Sequence, residues 1–202
     1  MAYYHSLITD KSWQILKALA GKYRFILIGG WAVFLWTRTL KSKDIDIVLE
    51  FDELEKIRND FEINKNDRLK KYEIKKEGID IDIYVPFYSN PGLPAEDLQK
   101  YQIKLEGFTT LTLEALFILK LGAARARLNS PKGQKDLIDL VSLLMVSGFN
   151  WKKCEELFRK YDLLDLKDFL IELLRATKEI PELELNTHKM ASFKKKTLAK
   201  VI

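Results

Sequence analysis

The spacing of apolar residues changes along the chain, and each change of period predicts an element. In DKSWQILKALAG, Asp10 to Gly21, Trp13, Leu16 and Ala20 recur at helical spacing beside Ile15 and Leu19, and Gly21 suits a C-terminal cap. YRFILIG then reads as a buried strand, Gly29-Gly30 as a turn, and WAVFLWTRTL as a helix apolar enough to pack on a sheet. In DIDIVLEF the period falls to two, with Ile45, Ile47 and Leu49 on one face and Asp44, Asp46 and Val48 on the other. GIDIDIYVPFYS repeats the alternation, Ile79, Ile81, Ile83 and Val85 against Asp80, Asp82 and Tyr84. Between these strands, DELEKIRNDFEINKNDRLKKYEI is charged and helical in its first half, and is expected to carry the chain away from the core. NPGLPAEDL is a loop by its prolines and glycine, and YQIKLEGF an edge strand.

From Thr110 the pattern becomes that of amphipathic helices: TLEALFILKLGAARARL, GQKDLIDLVSLLMVSG, WKKCEELFRKYD and LKDFLIELLRAT. The basic tail HKMASFKKKTLAKVI is either a last helix or a loose end. The chain therefore divides into an α/β part, residues 1–109, and a helical region, residues 110–202, expected to pack on it.

Composition narrows the chemistry. The 202 residues are 47% apolar and 31% charged, as in a soluble globular protein. There is no uncharged stretch of membrane-spanning length, and MAYYHSLITDKSW lacks the basic-then-apolar order of a signal peptide, so a cytoplasmic protein without a membrane partner is expected. One cysteine, Cys154, and two histidines at opposite ends, His5 and His188, argue against a disulfide framework, a thiolate metal site or a Ser-His-Asp hydrolase. Chemistry must rest on carboxylates, lysines, arginines and backbone. The net charge of +5 tilts mildly toward a polyanionic partner.

Two features carry that chemistry. Gly29 and Gly30 lie between a strand and a helix, where backbone amides unobstructed by side chains can hold phosphate; the same pair also suits a tight turn that holds nothing. Asp44 and Asp46 share a strand face about 7 Å apart, and two anions so placed repel unless a divalent cation lies between them. A solvent-facing polar edge would explain them too, but their neighbours are almost all apolar. Asp80 and Asp82 repeat the device on a second strand, and three converging carboxylates are what a two-metal phosphoryl or nucleotidyl transfer site needs.

The order strand, Gly29-Gly30, helix, Asp44-Ile45-Asp46, then a strand carrying Asp82, resembles the nucleotidyltransferases of the DNA polymerase β superfamily, most of all the minimal prokaryotic and archaeal branches that include the abortive-infection (AbiEii-like) toxins. ALFILKLGAARAR and KGQKDLIDLVSLL are similar to the Lys…Arg…Lys-Asp-x-x-Asp helices of those branches. The resemblance implies an α+β fold, a small mixed sheet flanked by helices and followed by a C-terminal helical bundle. It implies an enzyme moving NMP from an NTP to an acceptor hydroxyl with Mg²⁺ or Mn²⁺. Gly29 and Gly30 would hold phosphates; Asp44, Asp46 and Asp82 would be catalytic and would hold metal. Asp80 departs from the single third carboxylate of the pattern and stays open as an alternative ligand. The acceptor is unread among RNA or tRNA, protein, small molecule or nucleotide, and an antitoxin or homodimer partner is implied for the toxin branch. A catalytically silent nucleotide- or RNA-binding module of the same fold is the alternative.

The downstream helices can also be read on their own. Lys120 falls on the apolar stripe with Leu113 and Leu116, where it needs an anion or must snorkel; Arg127 lies seven residues further along that stripe and Arg125 flanks it. With Lys135, beside the NSPKGQ loop, Lys120 and Arg127 are the candidates for nucleotide phosphates. Asp139, set in LIDLVSLL, is expected to form a structural ion pair with Arg125, Arg127 or Lys135, Arg125 being the chosen partner.

Overall fold

The computed structural model describes residues 6–201; His5 and Ile202, the last residue of the basic tail, lie outside the described residues. The described chain separates into two compact units, residues 1–112 and 113–202.

The first unit is α+β. Helix α1 (Ser6–Lys22) leads into β1 (Ile26–Ile28), α2 (Gly29–Thr37), β2 (Ile45–Val48) and α3 (Phe51–Arg58). A hairpin, β3 (Asn64–Asn66) and β4 (Lys71–Lys76), then precedes β5 (Ile79–Tyr84), a 3₁₀ turn at Ala95–Tyr101, β6 (Gln102–Leu105) and β7 (Phe108–Leu111). All seven strands form one mixed sheet in the order β3-β4-β5-β2-β1-β7-β6. β2 runs parallel to β5 and antiparallel to β1, and β1 runs parallel to β7.

Ile45, Ile47, Ile81 and Ile83 are fully buried, which is the reason for their alternation with aspartates. Helix α2 has no polar face, and five of its nine residues are buried. Its tryptophans are structural: the Trp31 indole donates to Ser12 Oγ at 2.9 Å and the Trp36 indole to the Leu111 carbonyl at 3.1 Å.

Three expectations are corrected. The segment after β2 returns to the sheet as the hairpin β3–β4, with β4 antiparallel to β5. Its strand signal is hidden because Lys71, Glu73 and Lys75 line the face opposite the isoleucine core while Lys76, in phase with the inward Ile74, lays its ammonium 4.8 Å from the Phe61 ring centre. The strand expected from Asp44 to Phe51 is only Ile45–Val48, because Phe51 opens a helix whose first turn carries Asp52 and Glu53, favoured at the positive end of a helix dipole. YQIKLEGF, expected as one edge strand, spans β6 and the first residue of β7: β6 lies at the sheet edge, paired to β7 as a hairpin.

The second unit is helical: α4 (Leu113–Arg127), α5 (Pro131–Met145), α6 (Trp151–Lys160), α7 (Leu164–Ala176) and α8 (Thr187–Val201). Ser130 caps α5 by accepting the Gly133 amide at 3.0 Å, and Pro131 fills the first helical position. Asn150 caps α6 through two amides. No helix among the described residues is long and apolar enough to cross a membrane.

Candidate active site

Strand register brings the carboxylates together. β1 and β2 pair Ile28 with Asp46, β2 and β5 pair Asp46 with Asp82, and β5 and β4 pair Asp82 with Glu73. β4 and β3 then pair Glu73 with Asn64, so one rung of the sheet reads Ile28, Asp46, Asp82, Glu73, Asn64. Neighbouring strands lie about 4.8 Å apart, so three carboxylates stand side by side on the face opposite the isoleucine core. Asp44 immediately precedes β2, and its charge is felt at Asp82. Asp80 is displaced from the rung by one side-chain step and pairs with Lys75.

The glycines stand where β1 meets α2. Gly29 has φ +67°, the left-handed region, and a Cβ added there would lie 2.6 Å from Asp46 Cγ and 2.7 Å from Asp46 Cβ. Glycine is required here both by backbone conformation and by the closeness of Asp46. The Asp46 carboxylate is thereby held against the start of α2, where the amide dipoles favour an anion.

Three residues outside the sequence expectations, Lys71, Glu73 and Asn66, adjoin these carboxylates. Lys71 Nζ lies 2.6 Å from Asp82 Oδ2 and 3.0 Å from a Glu73 oxygen, its side chain only 12% exposed. Asn66 donates to Glu73 Oε1 at 3.0 Å and so anchors the far carboxylate. The alternation of Lys71, Glu73 and Lys75 was the available signal, but a charged stretch without apolar phase reads as a solvated surface. Burial pushes the Asp82 carboxyl above its usual range, Lys71 opposes this, and the charges of Glu73 and Asp44 add to it. Burial works against the Lys71 ammonium, but Asp82 and Glu73 together outweigh it and raise its pKa.

Hard oxygen donors suit Mg²⁺ or Mn²⁺. Among the described residues no group of three or more His, Cys, Asp or Glu side chains is gathered tightly enough to hold a metal ion by itself. The donor set fits the other mode of Mg²⁺ binding, in which one or two carboxylates share the ion with substrate phosphates. A cleft of about 710 Å³ in the same unit, lined by Tyr23, Arg24, Glu53, Gln99 and Phe108 among others, includes none of the predicted site residues and is not the place of this chemistry.

In the second unit the predicted phosphate ligands form an ion cluster that is buried except for the exposed Arg127. Lys120 Nζ lies 2.8 Å from Asp139 and 3.2 Å from Asp136; Lys135 is 3.3 Å from Asp139; Arg127 grips Asp136 at 2.6 and 3.1 Å. Lys120, Lys135, Asp136 and Asp139 are all at most 6% exposed. A Cβ on Gly133 would run into the Arg127 carbonyl group, so this glycine lets the start of α5 tuck against the end of α4. The expected Arg125–Asp139 pair does not form: Arg125 lies at the exposed end of α4 and bonds Asp165 at 2.5 Å, while Asp139 is reached by the two lysines. Asp136, absent from the expected pairing, is the carboxylate that Arg127 uses. Burial would raise the Asp136 pKa, but Lys120 and Arg127 hold it below its ordinary value. Burial also pushes the Lys135 pKa down, against the pull of Asp139. Asp139 Oδ1 is a buried acceptor with no hydrogen-bond partner.

No protein-family model matches the chain, and no curated protein matches it. Among solved structures, a protein from H. pylori provisionally assigned as a nucleotidyltransferase aligns with 17% identity and a TM-score of 0.50, over 96% of each chain. A provisional nucleotidyltransferase from Thermotoga maritima aligns with 19% identity and a TM-score of 0.46, over 58% of this chain and 87% of its own. At these identities the likeness speaks for the fold alone: the chain has the α+β, nucleotidyltransferase-like fold, a mixed sheet flanked by helices with further helices after it.

Proposed function

We propose that the protein is a metal-dependent nucleotidyltransferase that moves NMP from an NTP to an acceptor hydroxyl. The observation that supports this best is the rung Asp46–Asp82, set beside the Gly29–Gly30 start of α2 and within reach of the Asp44 charge. The acceptor oxygen attacks the α-phosphorus, the bond from that phosphorus to the bridging oxygen breaks, and pyrophosphate leaves. Asp44 and Asp46 would hold a divalent ion together with phosphate oxygens, and Asp82 would complete the set. When bound, that ion offsets the charge of the triphosphate and of the leaving pyrophosphate. The amides at Gly29 and Gly30 would bind the β- and γ-phosphates. Asp82 would stand beside the acceptor hydroxyl, whose proton passes to solvent water as the ion lowers its pKa. The remaining work is positioning and electrostatics, and no protein nucleophile is called for.

The ion cluster of the second unit sets three cations, Lys120, Arg127 and Lys135, against two carboxylates, Asp136 and Asp139. Of these, Arg127, whose side chain is 42% exposed, best supports a phosphate role for the cluster. The gathering of Lys120, Arg127, Lys135, Asp136 and Asp139 in one place also supports kinship with the abortive-infection branch.

The test is incubation with each α-³²P-labelled NTP, Mg²⁺ and total cell extract. Label should pass to a macromolecule or small acceptor with wild type and not with Asp46→Asn. No transfer from any of the four NTPs would sink the reading. A second reading has one observation in its favour: the Lys71–Asp82 ion pair already satisfies the third carboxylate, as in a module that binds nucleotide without turnover. Nucleotide binding by calorimetry, without transfer of label, would favour it.

A further inference from the structure

Lys71 sits where a second cation would be needed. Its ammonium is 2.6 Å from Asp82 and 3.0 Å from Glu73, on the same sheet face as Asp46. The contact is built rather than incidental. Lys71 opposes Asn66 across the hairpin, Asn66 fixes Glu73, and the ammonium bridges two carboxylates of neighbouring strands. The side chains of Lys71 and Asp82 are 12% and 19% exposed, so water screens this pair far less than a surface salt bridge. Asp82 and Glu73 are unequal partners. Asp82 belongs to the rung with Asp46 and is the one a divalent ion would use, whereas Glu73 lies one strand further out and already has an amide donor.

We propose that Lys71 is a resident counter-cation of the site: it neutralises Asp82 until a divalent ion arrives with nucleotide, then yields Asp82 and stays on Glu73. This rests on the nucleotidyltransferase reading of Asp44, Asp46 and Asp82. The exchange needs no large motion, because Glu73 is already bound and keeps the ammonium paired throughout. Lys71 is therefore a positioning residue that competes with metal for one carboxylate, and Glu73 sets how readily it lets go. Two cations competing for one site are linked reciprocally, so removing one must strengthen the other.

The test is Mn²⁺ binding to the full chain, read by the electron spin resonance signal of free Mn²⁺, with and without a non-hydrolysable NTP. Lys71→Met should bind Mn²⁺ roughly tenfold more tightly than wild type, a typical size for such coupling. Glu73→Gln should bind it more weakly, since the lysine then has only Asp82. Thermal unfolding of each variant without metal shows whether it is folded, and Lys71→Met should gain more melting temperature from Mn²⁺ than wild type does. Equal affinity in wild type and folded Lys71→Met, or weaker affinity in Lys71→Met, overturns the counter-cation role while leaving the metal site standing. Binding in Lys71→Met alone would mean that the lysine never yields Asp82 in the wild type, and overturns the exchange. Should neither protein bind Mn²⁺, the metal reading itself fails and the exchange fails with it.

Discussion

Gly29 joins backbone geometry to site chemistry. Its positive φ and its closeness to Asp46 mean that a methyl group there strains the turn and displaces the carboxylate at once. Gly29→Ala should lower stability by about 1–3 kcal/mol, more than a glycine-to-alanine change at ordinary φ. Denaturant unfolding measures that loss, and the labelling assay should show the activity gone even where the variant remains folded. Asp80 and Asp82 separate by register. Asp82 shares the rung of Asp46, and Asp80 faces Lys75 instead. Asp82→Ala should therefore reduce turnover by at least about a hundredfold, the scale of losing one preorganised electrostatic group, while Asp80→Ala stays within a few-fold of wild type. The reverse order would transfer the third carboxylate to Asp80.

At the scale of elements, charges tie helices into place. Glu53 on α3 accepts the Arg24 amide at 3.2 Å and its guanidinium at 2.9 Å, and Lys56 at 2.8 Å, while its own side chain is 4% exposed. Lys56 foremost, with Arg24, holds its carboxyl down to about 2 from the ordinary 4.5, against the cost of burial. A lowered carboxylate stabilises the fold fully above its unfolded pKa, and that stability goes as pH falls through the folded one. The margin by which wild type exceeds Glu53→Gln should accordingly be constant above about pH 4.5 and vanish toward pH 2, as read by denaturation at a series of pH values. On α4, Lys120→Met would remove the one ammonium that reaches both Asp136 and Asp139, and breaking a buried ion pair from one side costs about 3–5 kcal/mol. A loss below about 1 kcal/mol in equilibrium unfolding would show that Arg127 and Lys135 suffice without it. These helices were legible in the sequence because Leu113, Leu116 and Lys120 keep helical period, and β2 and β5 were legible because isoleucines and aspartates alternate in them. The hairpin was not, because Asn64–Asn66 has no apolar residue and β4 places only Ile74 fully in the core. Pairing was the least legible. Arg125 and Lys120 are equally plausible partners for Asp139 in one dimension, and only the turn at Gly133 decides which of them arrives.

At the scale of the whole molecule, the chemistry that can be tested is unequally shared between two units, each with its own core. The rung Asp46–Asp82–Glu73 lies wholly in the unit of residues 1–112, and the cluster of Lys120, Lys135, Asp136 and Asp139 wholly in that of residues 113–202. A ligand that binds only the native state raises stability by mass action, by about 2.7 kcal/mol at a hundredfold excess over its dissociation constant. For a chain of this length that corresponds to roughly 5–10 °C in melting temperature. Scanning calorimetry with Mn²⁺ and a non-hydrolysable NTP should show such a rise in wild type, growing with ligand concentration. Asp46→Asn removes the metal donor of the first unit and should abolish the Mn²⁺-dependent part of the rise. Lys135→Met leaves that donor untouched and alters only the second unit's buried cluster, so it should lower the melting temperature without ligand and leave the Mn²⁺-dependent rise unchanged. A Lys135→Met variant as stable as wild type without ligand would show that Lys120 and Arg127 satisfy the cluster's carboxylates without it.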